Sequence, residues 1–402
     1  MSQTPESAVY AAGFSVYLHG FSAIDAYLRR PSANSVHILC GADIADLARL
    51  FDGLRYPGAD IADAALNCGE KTWYFRCEEP VNIQNRRASF DFLEFYQDCR
   101  TRRFFDPNGI YPYLRSLQNG GKHGAAARWQ EAAKANTQCA ARHLLFDEAL
   151  ILARYFPDTG IREINAAAAE YIGGTAGPPP SAEEQRLLLT GLLEAPAPAA
   201  GFELLKNSGF IAAYWPEMAA LDDVDHSKEF HPEGNVWKHT MEALRYRKPT
   251  SGRQPSSGRQ PSGGGFDLRL SLGLLLHDAG KPLSQSAGSR RFDGHAELGE
   301  RQARRFLERL GFEPPLVRDV CYLVRNHMLP AALPRIPLFR TEEIMSSPMF
   351  PALLELYRCD ESSSFKGLDG YYRSSAAYRS YLKHRRNPYR SAAGKKLKQG
   401  QI

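Results

Sequence analysis

Histidine and aspartate side chains recur at the ends of helix-like segments in the second half of this sequence. The most compact example is the stretch 272–282 (LGLLLHDAGKP), where an apolar run ends in His277 and Asp278. An imidazole and a carboxylate at the end of a buried run suit metal binding, because divalent transition metals accept mixed nitrogen and oxygen donors. The dipeptide alone fits equally well a partly buried pair that satisfies its own hydrogen bonds.

Further residues of the same types decide between these two interpretations. At or near the ends of other predicted helices stand His239, His295, His327 and Asp360. A single histidine beside apolar residues is usually a core or capping group. In a helical bundle, however, side chains from several helices converge on the core and can build a metal site there. Together with the His277-Asp278 pair, these residues make five such positions in one helical region, and they therefore favour a metal centre.

The first ~115 residues mix strand and helix patterns. Strands are predicted at 14–19, 35–40, 72–77 and 89–96, from their β-branched and aromatic residues, with a helix after Gly20. Residues 103–109 (RFFDPNG) predict a strand that runs into a turn. This part is predicted to be an α/β or α+β domain with a small sheet.

From about residue 119 the patterns become helical. Helices are predicted at 125–152, 161–171, 181–193, 236–246, 268–277, 296–310, 315–327 and 351–358, with short helices over 202–221. Between two of them, residues 251–265 carry a tandem Ser-Gly-Arg-Gln-Pro unit and predict a disordered loop. The sequence thus predicts an α+β protein with a head at 1–118, a helical neck at 119–225 and an all-α domain at 226–370, which has its insert at 248–265. A basic tail at 371–402 follows.

Composition is that of a soluble globular protein. The 402 residues are 43% hydrophobic and 24% charged. No run approaches the ~18 to 20 apolar residues of a membrane span, and the first residues lack the pattern of a signal peptide. The seven cysteines are scattered without a Cys-x-x-Cys pair, which indicates reduced thiols in a cytoplasmic protein.

Positive charge is concentrated at the end of the chain. The net charge is +5, and no acidic residue follows Asp369, while nine lysines and arginines do. Tyrosines interleave with these charges, a combination that suits contact with RNA through phosphates and stacked bases. We expect RNA contact through this tail and through the neck; the alternative is a basic tail that only aids solubility.

The helical half resembles the bacterial tRNA nucleotidyltransferase/poly(A) polymerase family in the form that carries an HD domain. The resemblance spans about 201–360 and rests on GFELLKNSGFIAAYWPEM, HPEGNVWKHT, LLLHDAGKP, GHAELG and LVRNHM. It implies that the metal ligands are His239, His277, Asp278 and Asp360. It also implies that His295 and His327 bind a second metal or the substrate phosphate. Asn235 stands where the family usually has aspartate, a change expected to be minor.

The implied cofactor is a divalent ion, and the donor set suits Mg, Mn, Fe, Co, Ni or Zn alike. Such an ion lowers the pKa of bound water and offsets the charge that develops as a phosphate ester breaks. His277, Asp278, His295 and His327 are the expected catalytic residues. Lys281 is a further catalytic candidate that could hold a phosphate oxygen, or it is a solvated charge at a helix end.

The head departs from the pattern of that family. Where the family carries two aspartates one residue apart on a strand, this sequence has Ser35 and His37. Two-metal nucleotidyl transfer needs clustered carboxylates, so the head is predicted to be an inactive relic. The alternative is that Asp43, Asp46 or Asp91 serves instead, although Asp43 and Asp46 are also typical of acids at a helix start.

Three hypotheses follow. The first is a metal-dependent HD phosphohydrolase that cleaves a phosphate ester of a nucleotide or RNA. The second is a CCA-adding or poly(A) enzyme with a divergent head, and the third is a non-catalytic RNA-binding protein.

Overall fold

The computed structural model describes residues 4–30, 35–57, 62–69, 71–78, 93–107, 110–111, 114–115, 138–155, 179–225, 234–249, 266–284, 292–337, 340–364 and 367–385. These residues fall into two compact units. Described residues up to Ile151 form the first, and nearly all of those from Leu152 on form the second.

The first unit is built on one six-stranded sheet. Its strands are β1 (Val16–His19), β2 (Ser35–Cys40), β3 (Ala64–Cys68), β4 (Lys71–Cys77), β5 (Tyr96–Asp98) and β6 (Phe104–Phe105), in the spatial order β3-β4-β2-β1-β5-β6. Only β2 and β4 pair in parallel, and the other neighbours are antiparallel. The helices are α1 (Pro5–Ala11), α2 (Phe21–Tyr27), α3 (Ile44–Leu50) and α4 (Gln138–Tyr155), the last of which extends into the second unit.

One face of this sheet forms the core of the unit. Apolar residues from β1 to β4 pack there against Val9 of α1 and Leu47 of α3. Asp43 and Asp46 form a capping box at the start of α3, because each carboxylate accepts the backbone N–H of the other residue. This confirms that both acids act at a helix start, as their position predicted.

Most of the head strands match the sequence prediction. The bounds of β2 agree with it, and β1 and β4 lie within one or two residues of it. Of the predicted strand 89–96, residues 89–92 lie outside the described part, and β5 begins only at Tyr96. The sequence did not predict β3, because AALNC lacks β-branched and aromatic residues; pairing along β4 makes it a strand.

The second unit consists of helices in its described part. They are α5 (Ala182–Glu194), α6 (Pro198–Asn207), α7 (Phe210–Tyr214), α8 (Pro216–Ala219), α9 (Val236–Arg245), α10 (Leu268–Leu276), α11 (Lys281–Ser284), α12 (His295–Arg309), α13 (Pro314–Asn326), α14 (Leu329–Ala332), α15 (Glu342–Ser346), α16 (Phe350–Ser362) and α17 (Asp369–Arg385). This arrangement confirms the predicted α+β fold class, with a small sheet first and helices after it.

The apolar helix α10 lies at the centre of the second unit. Its residues 270–276 are all buried, and it packs against α5, α9, α13 and α16. A Cβ atom added at Gly273 would lie 2.8 Å from Leu323 Cδ1, so any side chain here would require Leu323 to shift. The tight packing fixes where the end of α10, and therefore His277, lies.

Arg247 joins the start of α10 to two other helices of this unit. Its buried guanidinium donates to the carbonyl oxygens of Leu193 and Ala195 and to Ser271 Oγ. The ring of Phe266 lies 4.4 Å from its central carbon. Burial lowers the pKa of Arg247 to about 9. The side chain thus satisfies carbonyls at the end of α5 that have no partner within that helix.

The remaining domain predictions concern boundaries. Residues 369–385, most of which were assigned to a basic tail, form a helix whose Ser374 and Tyr381 are buried. The predicted helix 161–171 and residues 250–265 of the insert lie outside the described part, and the neck boundaries stay a prediction.

In the part of the chain that the structure describes, no helix has the length and apolarity that crossing a bilayer requires. Six cysteines with described side chains are free thiols.

Candidate metal centre

The structure brings the predicted metal ligands together at helix ends in the second unit. His239 lies within α9, His277 and Asp278 directly follow α10, and Asp360 lies in the last turn of α16. His295 is the first residue of α12, and His327 directly follows α13. All except Asp360 are buried, and Asp360 is partly buried.

These six residues form two adjacent groups of three. In each group the ligand atoms all lie within 4.8 Å of one another. The first group, here called the first trio, is His239, His277 and Asp360, and the second trio is Asp278, His295 and His327. They are the groups of this kind found among the described side chains. The trios are neighbours, since Nε2 of His277 lies 3.3 Å from Oδ2 of Asp278.

Backbone carbonyls fix the tautomers of three histidines. Nδ1 of His277 lies 2.7 Å from the backbone oxygen of Leu274. Nδ1 of His295 lies 2.7 Å from the backbone oxygen of Phe292, and Nδ1 of His327 lies 2.8 Å from that of Val324. A carbonyl oxygen only accepts hydrogen bonds, so each Nδ1 carries a proton and donates it. In the neutral ring, Nε2 then presents its lone pair to the centre of the site.

These lone pairs face other acceptors at short range. Nε2 of His295 and Nε2 of His327 are 3.0 Å apart, and they lie 3.7 and 3.9 Å from Oδ1 of Asp278. Nε2 of His277 is buried and makes no hydrogen bond within the described residues. Converging lone pairs repel one another unless a cation lies between them. The donor set therefore fits a bound divalent metal.

The side chains of two residues on or next to α16 contact His239. Its Nε2 lies 2.9 Å from Oδ1 of Asp360, and its Nδ1 lies 3.2 Å from Oγ of Ser363. Ser363 was not among the predicted residues. A serine one turn after a metal ligand is too common in sequences to indicate a contact with a ligand histidine.

Burial and neighbouring charges shift the pKa values of the site residues in opposite directions. Burial lowers the pKa of His327 to about 4 and so favours the neutral ring. Burial also acts to lower the pKa of His277, but the charges of Asp278 and Asp360 outweigh it, and that pKa is raised. Burial acts to raise the pKa of Asp278; the charges of His277 and Lys281 outweigh it and hold that pKa well below its usual range.

The pKa of Asp360 is also lowered. Burial would raise its pKa, yet the hydrogen bond to His239 and the charges of His239 and His277 lower it. Both carboxylates of the site are therefore ionised near neutral pH. Ionised carboxylates and neutral Nε2 atoms are the forms that bind a metal ion.

Two glycines allow the ligand-bearing segments to approach one another. A Cβ atom added at Gly280 would lie 2.0 Å from the backbone oxygen of His295 and 2.4 Å from the backbone nitrogen of Gly299. At Gly299 an added Cβ would lie 3.2 Å from the nitrogen of Gly280. The turn after Asp278 therefore rests directly on the backbone of α12, which brings His295 to Asp278.

Lys281 pairs with a ligand in this structure. Its Nζ lies 2.7 Å from Oδ2 of Asp278 and 5.4 Å from the centre of the Phe292 ring. Its side chain is only 13% exposed, so it is not the solvated charge at a helix end that was the alternative. The lysine instead offsets the charge of the buried carboxylate.

Asn235 has a structural role beside the site. Its side-chain oxygen accepts the backbone N–H of Lys238 and caps α9, the helix that carries His239. Its amide nitrogen donates to the backbone oxygen of Asp222 at 2.8 Å and to Oδ1 of Asp222 at 2.7 Å. An aspartate could cap the helix equally well, but it could not donate these two hydrogen bonds.

The head positions aligned with catalytic carboxylates carry other interactions. The ring of His37 stacks on that of Tyr74 at 5.0 Å, and its backbone N–H donates to Ser22 Oγ. The carboxylates of Asp43 and Asp46 are engaged in the capping box, which leaves them to a structural role. Asp91, the third alternative, lies outside the described residues.

Residues 235–351 match the model of the HD domain family. A "Multifunctional CCA protein" of Halorhodospira halophila is 36% identical over 142 residues, 35% of this chain and 30% of that protein. A "CC-adding tRNA nucleotidyltransferase" of Thermus thermophilus is 33% identical over 156 residues, 37% of this chain and 32% of that protein. The solved CCA-adding enzyme of Bacillus stearothermophilus in complex with CTP is 15% identical, with a TM-score of 0.49, and the match covers 94% of this chain and 81% of that one.

The matched region spans about a third of the length of these curated relatives. The family model ends at residue 351 and so leaves out Asp360. The structure brings that residue to the other proposed ligands, with Oδ1 of Asp360 at 2.9 Å from Nε2 of His239 and 3.8 Å from Nε2 of His277.

Proposed function

We propose that this chain is a metal-dependent phosphohydrolase related to the tRNA nucleotidyltransferases that carry an HD domain, to which it is similar in sequence. The proposed reaction is hydrolysis of a phosphate ester of a nucleotide or RNA. One observation carries the proposal: four histidines and two carboxylates point their metal-binding atoms at one another in two adjacent trios. The proposed ligands are His239, His277, Asp278 and Asp360, and the proposed substrate-side residues are His295 and His327.

Divalent metal would supply activated water and offset the charge that builds on the phosphate. The protein supplies the rest. Asp278 and Asp360 stay ionised and give the site negative charge, while the backbone-bonded Nδ1 atoms of His277, His295 and His327 keep their Nε2 atoms aimed inward. Lys281 lies next to Asp278 and can turn toward a phosphate oxygen when metal shares the charge of that carboxylate.

We propose that the head has no transfer activity. Ser35 and His37 lack the charge that holds the two Mg²⁺ ions of nucleotidyl transfer. The trios found among the described side chains both lie in the second unit. The head then contributes RNA contact or stability to the protein.

The proposed partner is RNA or a nucleotide in the cytoplasm. Helix α17 and the chain after it carry the basic and tyrosine residues expected to contact phosphates and bases. Two relatives are named for tRNA or CCA chemistry, which supports an RNA-linked substrate.

The decisive experiment replaces Asp278 by alanine. Purified wild-type protein is analysed for bound metal and tested on 2′,3′-cyclic nucleotides and on a generic phosphodiester, with Mn²⁺, Mg²⁺, Ni²⁺, Co²⁺, Fe²⁺ and Zn²⁺. We expect Asp278→Ala to abolish metal-dependent hydrolysis. Asp223→Ala, which removes an exposed carboxylate of the same unit, is the matched control and should retain it. Undiminished turnover in Asp278→Ala would refute the proposal.

A second candidate is CCA or poly(A) addition, which the names of the relatives favour. Labelled CTP or ATP, Mg²⁺ and tRNA lacking its 3′ end test it directly. Incorporation above the buffer level would establish transfer. If the protein shows neither bound metal, nor hydrolysis, nor incorporation, the third hypothesis of a non-catalytic RNA-binding protein replaces both.

A further inference from the structure

We infer that Cys40 and Cys77 form a thiol-oxidation site in the first unit, at which a peroxide converts the two thiols into a reversible disulfide bond. Cys40 is the last residue of β2, and Cys77 is the last residue of β4. Both are free thiols in this structure, with Cys40 buried and Cys77 partly buried. The inference concerns the head and is independent of the metal centre and of the proposed hydrolysis.

The register of the sheet places the two cysteines directly opposite each other. Strands β2 and β4 pair in parallel, and Cys40 is the partner of Cys77 in that pairing. Neighbouring strands of a sheet lie about 4.8 Å apart. This spacing falls within the range of about 4.4–6.8 Å that separates the Cα atoms of disulfide-bonded cysteines. The backbone can therefore carry the bond in the register that it already has.

The two side chains lie on the same face of the sheet, because partner residues of adjacent strands share a face. Both belong to the apolar core of the unit, Cys40 as a buried member and Cys77 packed against it. The two thiols interact through a side-chain hydrogen bond. The backbone N–H of Cys77 donates to Oδ2 of Asp63 at 2.8 Å, which holds the end of β4. The sulfur atoms thus meet before any oxidation occurs.

Two other cysteines of the sheet are placed differently. Cys99 packs against the same core, but Val16 of β1 lies between it and Cys40. Val16 is the partner of Cys40, and its backbone oxygen accepts the N–H of Cys99 at 3.0 Å. Two strand spacings amount to roughly 9–10 Å, which exceeds the limit of about 7 Å for a disulfide bond. Cys68 is exposed at the end of β3. The register therefore selects Cys40 and Cys77.

A peroxide supplies the oxidising equivalents for this bond. With hydrogen peroxide, the two S–H bonds and the O–O bond break, and the S–S bond forms. Two electrons pass from the sulfur atoms to the peroxide oxygens, which leave with the thiol protons as two molecules of water. Dithiothreitol reverses the reaction by thiol–disulfide exchange and is itself oxidised to its cyclic disulfide. Small molecules can reach the pair from the side of Cys77, which is partly exposed.

The test treats the full-length protein with hydrogen peroxide and blocks the remaining thiols with iodoacetamide under denaturing conditions. Mass spectrometry then maps the tryptic peptides. Trypsin cuts after Arg49 and Lys71, so three separate peptides carry Cys40, Cys68 and Cys77. We expect the peptides of Cys40 and Cys77 to appear joined, with a mass two hydrogen atoms below their sum. Dithiothreitol added before the alkylation should separate them again.

Two variants assign the bond. Cys77→Ser removes the partly exposed partner and should abolish the joined peptide. Cys68→Ser is the matched control, since it removes an exposed thiol from the same sheet, and it should leave the joined peptide unchanged. In the wild type, exposed Cys68 also reports whether the peroxide has acted. Free Cys40 and Cys77 at a dose that has oxidised Cys68 would overturn the inference, as would a bond from either of them to another cysteine.

Discussion

Replacing Gly280 by alanine tests whether the close approach of two backbones builds the second trio. The added Cβ would lie 2.0 Å from the oxygen of His295, and real Cβ atoms essentially never come closer than 3.0 Å to such an atom. Removing this clash therefore requires a movement of about 1 Å. The atoms that must move belong to the backbone and not to a flexible side chain. This movement would draw His295 away from Asp278, where the two side chains are now 3.7 Å apart.

The expected result is a loss of both stability and metal binding. Overpacking of a tight core typically costs about 1–3 kcal/mol, and a backbone clash belongs at the upper end of that range. Denaturant unfolding of the metal-free protein measures this free energy. A misplacement of about 1 Å at a reacting centre lowers activity by roughly 100-fold. Calorimetric metal binding and phosphodiester hydrolysis measure that part of the prediction.

Gly294→Ala is the matched control for this experiment. Gly294 precedes His295, and an added Cβ there would meet no atom within 4 Å. Its φ of +74° makes alanine strained by about 1–2 kcal/mol, without a steric clash. We expect this variant to lose some stability while it retains metal binding and hydrolysis. Wild-type stability and metal affinity in Gly280→Ala would show that the reasoning about the backbone contact is wrong.

Two further predictions concern residues that hold the ligand-bearing helices. Arg247→Ala should lower the free energy of unfolding by at least about 3 kcal/mol, because buried carbonyls of Leu193 and Ala195 lose a charged donor. Arg245→Ala, at an exposed side chain, should stay within about 0.5 kcal/mol of wild type in the same denaturant assay, and equal effects would contradict this assignment. Asn235→Asp should destabilise the protein by about 1–3 kcal/mol at neutral pH, because it replaces two donated hydrogen bonds by a second carboxylate against Asp222. Asn235→Ser keeps the cap without the charge and should cost less, so a more stable Asn235→Asp would refute the proposed reason.

The sequence allowed most of the second unit to be predicted. Helices with one apolar face have a period that can be read directly, and the bounds of α9, α10, α12 and α13 agree with the prediction within one residue at each end. The resemblance to the family then placed His239 and Asp360 in one site, although 120 residues of chain separate them. The structure brings both to His277.

What the sequence could not show are contacts that depend on residues far apart. Arg247 looks like an ordinary surface arginine, and only the packing of α5 against α10 reveals that it is buried. Ser363 and Gly280 belong to common residue types, whose contacts depend on other helices. Oγ of Ser363 lies 3.2 Å from Nδ1 of His239, and a Cβ atom added at Gly280 would lie 2.0 Å from the oxygen of His295. Strand β3 has weak intrinsic preference and forms by pairing with β4. Local patterns carry none of this information.

The contact between Arg247 and Phe266 makes the geometry of the metal centre independent of the length of the insert between these two residues. These two residues bracket the segment that holds the tandem Ser-Gly-Arg-Gln-Pro unit, and their side chains meet at 4.4 Å. The described residues on either side of this segment are therefore held at one place in the helical unit. Closing a longer loop between fixed ends costs only about 0.6 kcal/mol for each doubling of its length. We therefore expect that adding or removing a five-residue copy between Arg247 and Phe266 leaves His239 and His277 in place.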